Sequence, residues 1–148
     1  MRFRKLILLG LLCAASPALA QQRLLEPGDP GSARPTALQV LRHLAEGNLE
    51  AAAAISNAPA RRLEVLRSYR DRVGEEEFKR VYASYFEPQN RVVAEVAVGP
   101  RRLIVWELGG AGYGIAGQIF IEADGRFVMD DVPSRERSEI RDLLKKYR

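Results

Sequence analysis

Asp130 and Asp131 are adjacent acidic residues that could perform chemistry in this sequence. A carboxylate whose surroundings raise its pKa can act as a general base. Since successive residues of a regular strand point to opposite faces, one of the two would face inward. The pair also precedes a Val-Pro-Ser segment, where aspartate is ordinary turn chemistry. A catalytic and a structural interpretation therefore stay open.

Two further patterns resemble sites but have simpler explanations. His43 is the only histidine, so it lacks a second histidine for a metal site, and we interpret it as a structural helix residue. Residues 112–117, Gly-Tyr-Gly-Ile-Ala-Gly, match the G-x-G-x-x-G motif of dinucleotide sites. That motif needs a helix directly after it, whereas the Gln-Ile-Phe-Ile-Glu that follows is typical of a strand. We predict a glycine-rich hairpin or bulge, and no cofactor.

Arginine occurs in pairs at Arg61 and Arg62 and at Arg101 and Arg102. Paired guanidinium groups can bind an anionic partner. Acidic residues are interleaved along the same segments, which favours solvated ion pairs over a partner site. These acids are Glu64, Asp71, Glu75, Glu95 and Glu107.

The elements that must position these residues begin with a block of helices. Apolar residues recur at helical spacing, with Pro35 and Pro59 at helix starts and Asn48 as an N-cap. Gly47 and Gly74 are suited to end helices. The predicted helices cover residues 35–46, 49–57, 59–73 and 75–85.

A block of strands follows, because the apolar period changes from 3.6 to 2. Asp124 and Gly125 are a strong hairpin signal, and Ser134 can cap a last helix over residues 134–147. This order indicates an α+β fold, with N-terminal helices packed on a curved four-stranded antiparallel meander and a C-terminal helix. The predicted strands cover residues 92–98, 102–108, 113–121 and 126–131.

Residues 1–20 have the three-part pattern of a secretory signal peptide. A cationic start precedes an apolar run of ten residues, 6–15, which is shorter than the ~20 residues that a membrane-spanning helix needs. Small residues at Ala18 and Ala20 predict cleavage after Ala20. We expect export to the periplasm of a Gram-negative bacterium, without a transmembrane anchor after cleavage.

Cleavage would change the composition and net charge of the mature protein. Three of the 23 basic residues and none of the 19 acidic ones would leave, so the net charge would fall from +4 to about +1. That balance argues against a nucleic-acid partner. Cys13, the single cysteine, would leave too, which excludes disulfides and thiolate metal sites. Residues 21–34 are rich in proline, glycine and polar groups and predict a flexible tether before one domain over residues 35–148.

The segment from Glu46 to Ala52, Glu-Gly-Asn-Leu-Glu-Ala-Ala, and the element order resemble the nuclear transport factor 2-like, cystatin-like cone superfamily over about residues 35–132. The resemblance implies a curved sheet wrapped around helices, with an open mouth. Members include small isomerases and dehydratases, ligand-binding modules and secreted proteins, so the activity stays open. In the isomerases an acid in the mouth is the general base, a role that Asp130 or Asp131 would take, with a tyrosine stabilising the enolate.

Inside such a cone, aromatic side chains and one glutamine would converge on a ligand pocket, or the aromatics would form only the core. We expect an exported, non-catalytic binding or accessory module for a small apolar ligand or an envelope protein, or a homodimer formed through the sheet. The alternatives are a small isomerase or dehydratase, or a purely structural envelope protein. The converging residues are Tyr69, Tyr82, Tyr85, Trp106, Gln118 and Phe120.

Overall fold

The computed structural model describes residues 21–109 and 114–148. These residues form an α+β fold with one antiparallel sheet, which confirms the predicted class. The predicted signal peptide lies outside the described residues. The strands are β1 (Gln22–Leu24), β2 (Asn90–Val98), β3 (Arg101–Leu108), β4 (Gly114–Ala123) and β5 (Arg126–Met129); the helices are α1 (Arg34–Ala45), α2 (Leu49–Ala54), α3 (Pro59–Val73), α4 (Glu75–Ala83) and α5 (Arg135–Leu143), with 3-10 turns over Ser84–Phe86 and Leu144–Tyr147.

The strands lie in the sheet in their chain order, from β1 at one edge to β5 at the other. A bulge between Val92 and Ala94 shifts the register of β2 against β3. The hairpin between β4 and β5 turns at Asp124 and Gly125, whose φ angles are +52° and +76°. Two successive positive φ angles match the twist of a tight hairpin, which explains the Asp-Gly pair at this turn.

The structure differs from the predicted flexible tether at residues 21–34. This segment contains β1, which pairs with the end of β2 and raises the number of strands from the predicted four to five. Leu25 and Ala33 are buried, and the Leu25 amide donates to the Glu95 carbonyl at 2.9 Å. A strand of three residues is too short for a periodic signal, so its order depends on contacts with the distant β2.

Helices cover both faces of the sheet. The first four helices pack on one face around Ile104 and Trp106, and α5 packs on the other face, with Ile140 against Leu103 and Val105. Alternate residues of β3 therefore enter two different cores, which explains its continuous apolar run. None of the described helices is long and apolar enough to cross a membrane.

The β5 edge of the sheet is short and is held by the connection between α2 and α3. β5 pairs only with the end of β4, from Phe120 to Ala123. Ser56 forms a single parallel bridge with Met129, and the Met129 amide donates to the Ile55 carbonyl at 2.9 Å. Within the described chain, the first half of β4 has no strand beside it on this side.

Candidate functional site

A cleft of about 380 Å³ lies beside the first half of β4, between the N-terminal helices and α5. Its volume is near the lower end of the range for small-molecule sites, roughly 300–1,000 Å³. The cleft extends around the open strand, since its walls include residues from both faces of the sheet. Apolar side chains of its wall are Leu41, Leu44, Ala52, Leu66, Met129 and Leu144.

A chain of aromatic contacts runs from α3 through α4 to the sheet. Tyr69 and Phe78 have ring centroids 5.6 Å apart, Phe78 and Tyr82 4.9 Å, Tyr82 and Tyr85 6.4 Å, and Tyr85 and Trp106 5.1 Å. The structure therefore brings together the four aromatic residues 69, 82, 85 and 106 of the predicted group. Phe78 joins them as a central link that the sequence analysis left out of the site.

The predicted site residues divide between the cleft and the core. Tyr82, Tyr85 and Gln118 line the cleft, whereas Trp106 and Phe120 are buried in the core beneath the helices. Tyr69 lines a separate surface depression on α3. The pocket and core interpretations each describe part of the group.

Burial changes the acidity of the two tyrosines in the cleft. It raises the pKa of Tyr82 to about 12, with further contributions from the neighbouring Tyr85 and Tyr69. Burial also raises the pKa of Tyr85 above its ordinary value. Both phenols therefore keep their protons at neutral pH. No hydrogen bond within the described chain engages either hydroxyl, so each can donate to a ligand.

Gln118 lines the cleft and has one end of its amide bound to the protein. The Trp106 indole Nε1 donates to Gln118 Oε1 at 2.8 Å. Because an indole nitrogen can only donate, this bond fixes which end of the amide faces Trp106. The remaining Nε2 group is then a hydrogen-bond donor at the cleft wall. The indole itself lies directly behind that wall.

Arginine dominates the charged part of the cleft, which includes Arg62, Arg137, Arg141 and Arg148. Arg62 makes two hydrogen bonds with the Asp131 carboxylate, and Arg137 Nε donates to the backbone oxygen of Asp130. Arg141 and Arg148 have no ion pair or side-chain hydrogen bond with any residue that the structure describes.

The Asp130 carboxylate is ion-paired at the end of β5. Its Oδ2 accepts from Arg101 Nε at 2.8 Å, and its Oδ1 accepts from Asn57 Nδ2 at 2.9 Å. The carboxylate is buried at the cleft wall. It therefore faces a cation and an amide, whereas the general-base interpretation assumes apolar surroundings.

Asp131 has a similar structural position. Its Oδ2 accepts from Ser56 Oγ at 2.6 Å and from Arg62 Nε at 2.9 Å. Asn57 completes the network, since its Oδ1 accepts from the backbone amides of Asp131 and Val132. The two carboxylates thus fasten the α2–α3 connection to the sheet. The sequence pattern around Asn57 predicts only a helix end, and no local pattern marks this residue as the centre of the network.

The structure also shows where the other candidate residues and motifs of the sequence lie. His43 Nδ1 is buried without a hydrogen-bond partner there. Residues 112 and 113 of the glycine motif lie outside the described residues, and Gly114 to Gly117 begin a strand. Arg102 is buried and donates to backbone oxygens, so it does not form the solvated ion pair that the sequence favoured.

No group of three His, Cys, Asp or Glu side chains that could bind a metal occurs among residues 21–109 and 114–148.

Comparisons with protein-family models, with curated proteins and with solved structures found no match to this chain. The geometry of the cleft is therefore the basis for its functional interpretation.

Proposed function

We propose that this protein is a small, exported binding module without catalytic activity, and that it holds a small apolar molecule in the cleft beside β4. The signal-peptide pattern supports export to the periplasm. The observation that carries the proposal is a cleft of about 380 Å³ with an apolar wall and a few polar groups that lack protein partners. Such a combination is typical of small-molecule sites.

The apolar wall accounts for the attraction of a ligand. Leu41 and Leu44 of α1, Ala52 of α2 and Leu66 of α3 present aliphatic groups to one space. Removing apolar ligand surface from water contributes roughly 25 cal/mol per Å². Tyr82 supplies an aromatic face and a hydroxyl at the same wall, which would orient the ligand.

The enzyme alternative has less support. A general base needs a carboxylate that is free to accept a proton from the substrate. Asp130 and Asp131 each accept from an arginine and from a second side chain. The cone arrangement, the envelope-protein partner and the homodimer stay predictions, and no specific contact favours them over ligand binding in the cleft.

A neutral fluorescent probe tests the proposal. N-phenyl-1-naphthylamine emits strongly only in apolar surroundings, so we expect saturable emission with one probe per protein. Ala52→Leu adds bulk inside the cleft, whereas Ala54→Leu makes the same change on the exposed face of α2. We expect about tenfold weaker probe binding for Ala52→Leu and no change for Ala54→Leu.

Thermal unfolding of both variants serves as the control for folding. The proposal is contradicted if probe emission does not saturate with the unaltered protein. It is also contradicted if a folded Ala52→Leu variant binds the probe as tightly as Ala54→Leu does.

A further inference from the structure

We infer that the molecule held in the cleft carries an anionic headgroup, a carboxylate or a phosphate, on an apolar body. This inference rests on the proposed function and specifies the class of ligand. It is carried by the charge balance of the cleft, by the kind of hydrogen-bonding groups left free there, and by their arrangement relative to the apolar wall.

The charge balance of the cleft is strongly positive. Four arginines line it, and the only acidic side chain among its lining residues is that of Asp130. Arg101, which does not line the cleft, is ion-paired with that carboxylate at 2.8 Å. Asp131 is paired with Arg62. Arg141 and Arg148 form no salt bridge with a residue that the structure describes. Arg141 interacts through its charge with the exposed Asp142, which itself pairs with Lys145 at 2.9 Å, so an anionic ligand would supply the direct partner that both arginines lack.

The side-chain groups left free for a ligand can all donate a hydrogen bond. Gln118 Oε1 already accepts from the indole of Trp106, so its amide nitrogen is the group left for a ligand. Both oxygens of Asp130 accept from protein groups. The hydroxyls of Tyr82 and Tyr85 are protonated at neutral pH, as tyrosines ordinarily are, and burial raises both pKa values further. Carboxylate and phosphate oxygens are the acceptors that match such a set of donors.

The spacing of the residues on the C-terminal segment explains how cations and apolar groups meet. Arg137, Arg141, Leu144 and Arg148 recur at intervals of four, three and four residues. Arg137 and Arg141 lie one turn apart on α5, Leu144 begins the 3-10 turn that follows, and Arg148 comes directly after that turn. All four line the cleft. Leu144 continues into the apolar cluster on that face of the sheet. The headgroup would then lie at the arginines and the apolar body against the leucines.

Three ligands that share a ten-carbon chain separate the contributions. We would measure displacement of N-phenyl-1-naphthylamine by decanoate, by decyl phosphate and by neutral 1-decanol. We expect the tighter-binding of the two anions to exceed 1-decanol in affinity by about tenfold. The comparison of decanoate with decyl phosphate identifies which headgroup the arginines prefer.

Variants of the C-terminal segment locate the effect. Changing Arg141 and Arg148 together to glutamine should weaken binding of the preferred anion by about tenfold and leave 1-decanol unchanged. Arg135→Gln is the control, because Arg135 lies on the same helix as Arg141 but pairs with Glu139 outside the cleft. Raising the salt concentration should weaken the anion and spare 1-decanol in the unaltered protein, a result that needs no variant.

The outcomes distinguish the two proposals. If none of the three ligands binds, the proposed function is wrong. If 1-decanol binds and neither anion binds more tightly than it does, the cleft binds apolar molecules without a preference for an anionic headgroup. Only this inference is then overturned. The inference is also overturned if the anion binds equally well to the double variant and to Arg135→Gln.

Discussion

Glu95 is a buried charge that fastens the start of α1 to the sheet. Its carboxylate accepts from Ser32 Oγ at 2.6 Å, from the Ala33 amide at 2.7 Å and from Arg34 Nε at 3.2 Å. Ala33, at the N-cap position, has no side-chain oxygen. Glu95 therefore provides from a distant strand the acceptor for the N-cap amide that the Glu or Gln of a capping box usually provides locally.

Glu95→Gln should strongly destabilise the fold, because it leaves Arg34 without its counter-ion and the α1 amide without its charged acceptor. We expect the free energy of unfolding to fall by about 3 kcal/mol, measured by chemical denaturation. Glu107→Gln is the control, since Glu107 pairs with Arg91 at the surface and should cost under about 1 kcal/mol. Equal losses for the two variants would contradict a buried capping role for Glu95.

Tyr82 should make stability depend on pH in the alkaline range. Its pKa is about 12 in the folded protein and about 10 when unfolded, so below pH 10 both states keep the proton. Between pH 10 and 12 the unfolded state loses the proton first, and the free energy of unfolding falls as pH rises.

Tyrosinate absorbance at 295 nm measures this titration directly. The folded protein should show a component near pH 12 that Tyr82→Phe removes, and unfolding in guanidinium should return all tyrosines to about pH 10. A component near pH 12 that survives in Tyr82→Phe would show that another residue produces it.

The placement of buried aromatic residues could be predicted from the sequence. The placement of charged residues whose partners lie far away in the chain could not. Tyr69 and Tyr82, each at helical spacing with apolar neighbours, have their rings in contact with each other, and Tyr85 contacts Trp106. Glu95, however, alternates with apolar neighbours and looks like the solvent-facing residue of a strand. Its partners lie more than 60 residues away in sequence, so no local pattern could show that it is buried.

At the scale of elements, the largest departure from expectation is β1. The proline- and glycine-rich composition of residues 21–34 describes its turns correctly but conceals the strand. Leu25 is only 4% exposed, whereas its neighbour Leu24 is 64% exposed. This contrast between adjacent leucines shows that the segment is packed in one defined orientation against the sheet.

Leu25→Ala should lower the free energy of unfolding by about 2–4 kcal/mol, because it removes a buried side chain from the sheet edge. Leu24→Ala should change it by less than about 0.5 kcal/mol. Denaturant unfolding of the two variants makes the comparison. A flexible tether would instead give two small and equal effects, which would contradict the packed strand.

The bounds of the other helices and strands were easier to predict from the sequence than the way in which these elements pack. Proline, glycine and asparagine at element ends have local physical causes, as at Gly74, where φ is +89° between α3 and α4. Which face α5 covers is a tertiary property. Gly117 permits the close approach of the 3-10 turn after α5, since a Cβ there would lie 2.9 Å from a Leu144 methyl carbon. This relation cannot be read from the sequence.

At the scale of the whole molecule, the cleft results from unequal strand lengths and from helices on both faces. β4 has ten residues and β5 has four, so the first half of β4 has no described strand beside it. The N-terminal helices and α5 approach this open strand from opposite sides. Arginines of α5 and leucines of α1 therefore line the same cleft. This combination requires the complete fold, and no single segment of the sequence predicts it.

The most direct test of the account is the position of a bound ligand. Backbone amide chemical shifts should be measured by nuclear magnetic resonance while decanoate is added to the isotope-labelled protein. We predict saturable changes at Leu44, Ala52, Gln118 and Arg141, all of which line the cleft. Saturable changes confined to other surfaces, such as the depression around Arg61 and Arg72, or no saturable change, would contradict the assignment of the cleft as the binding site.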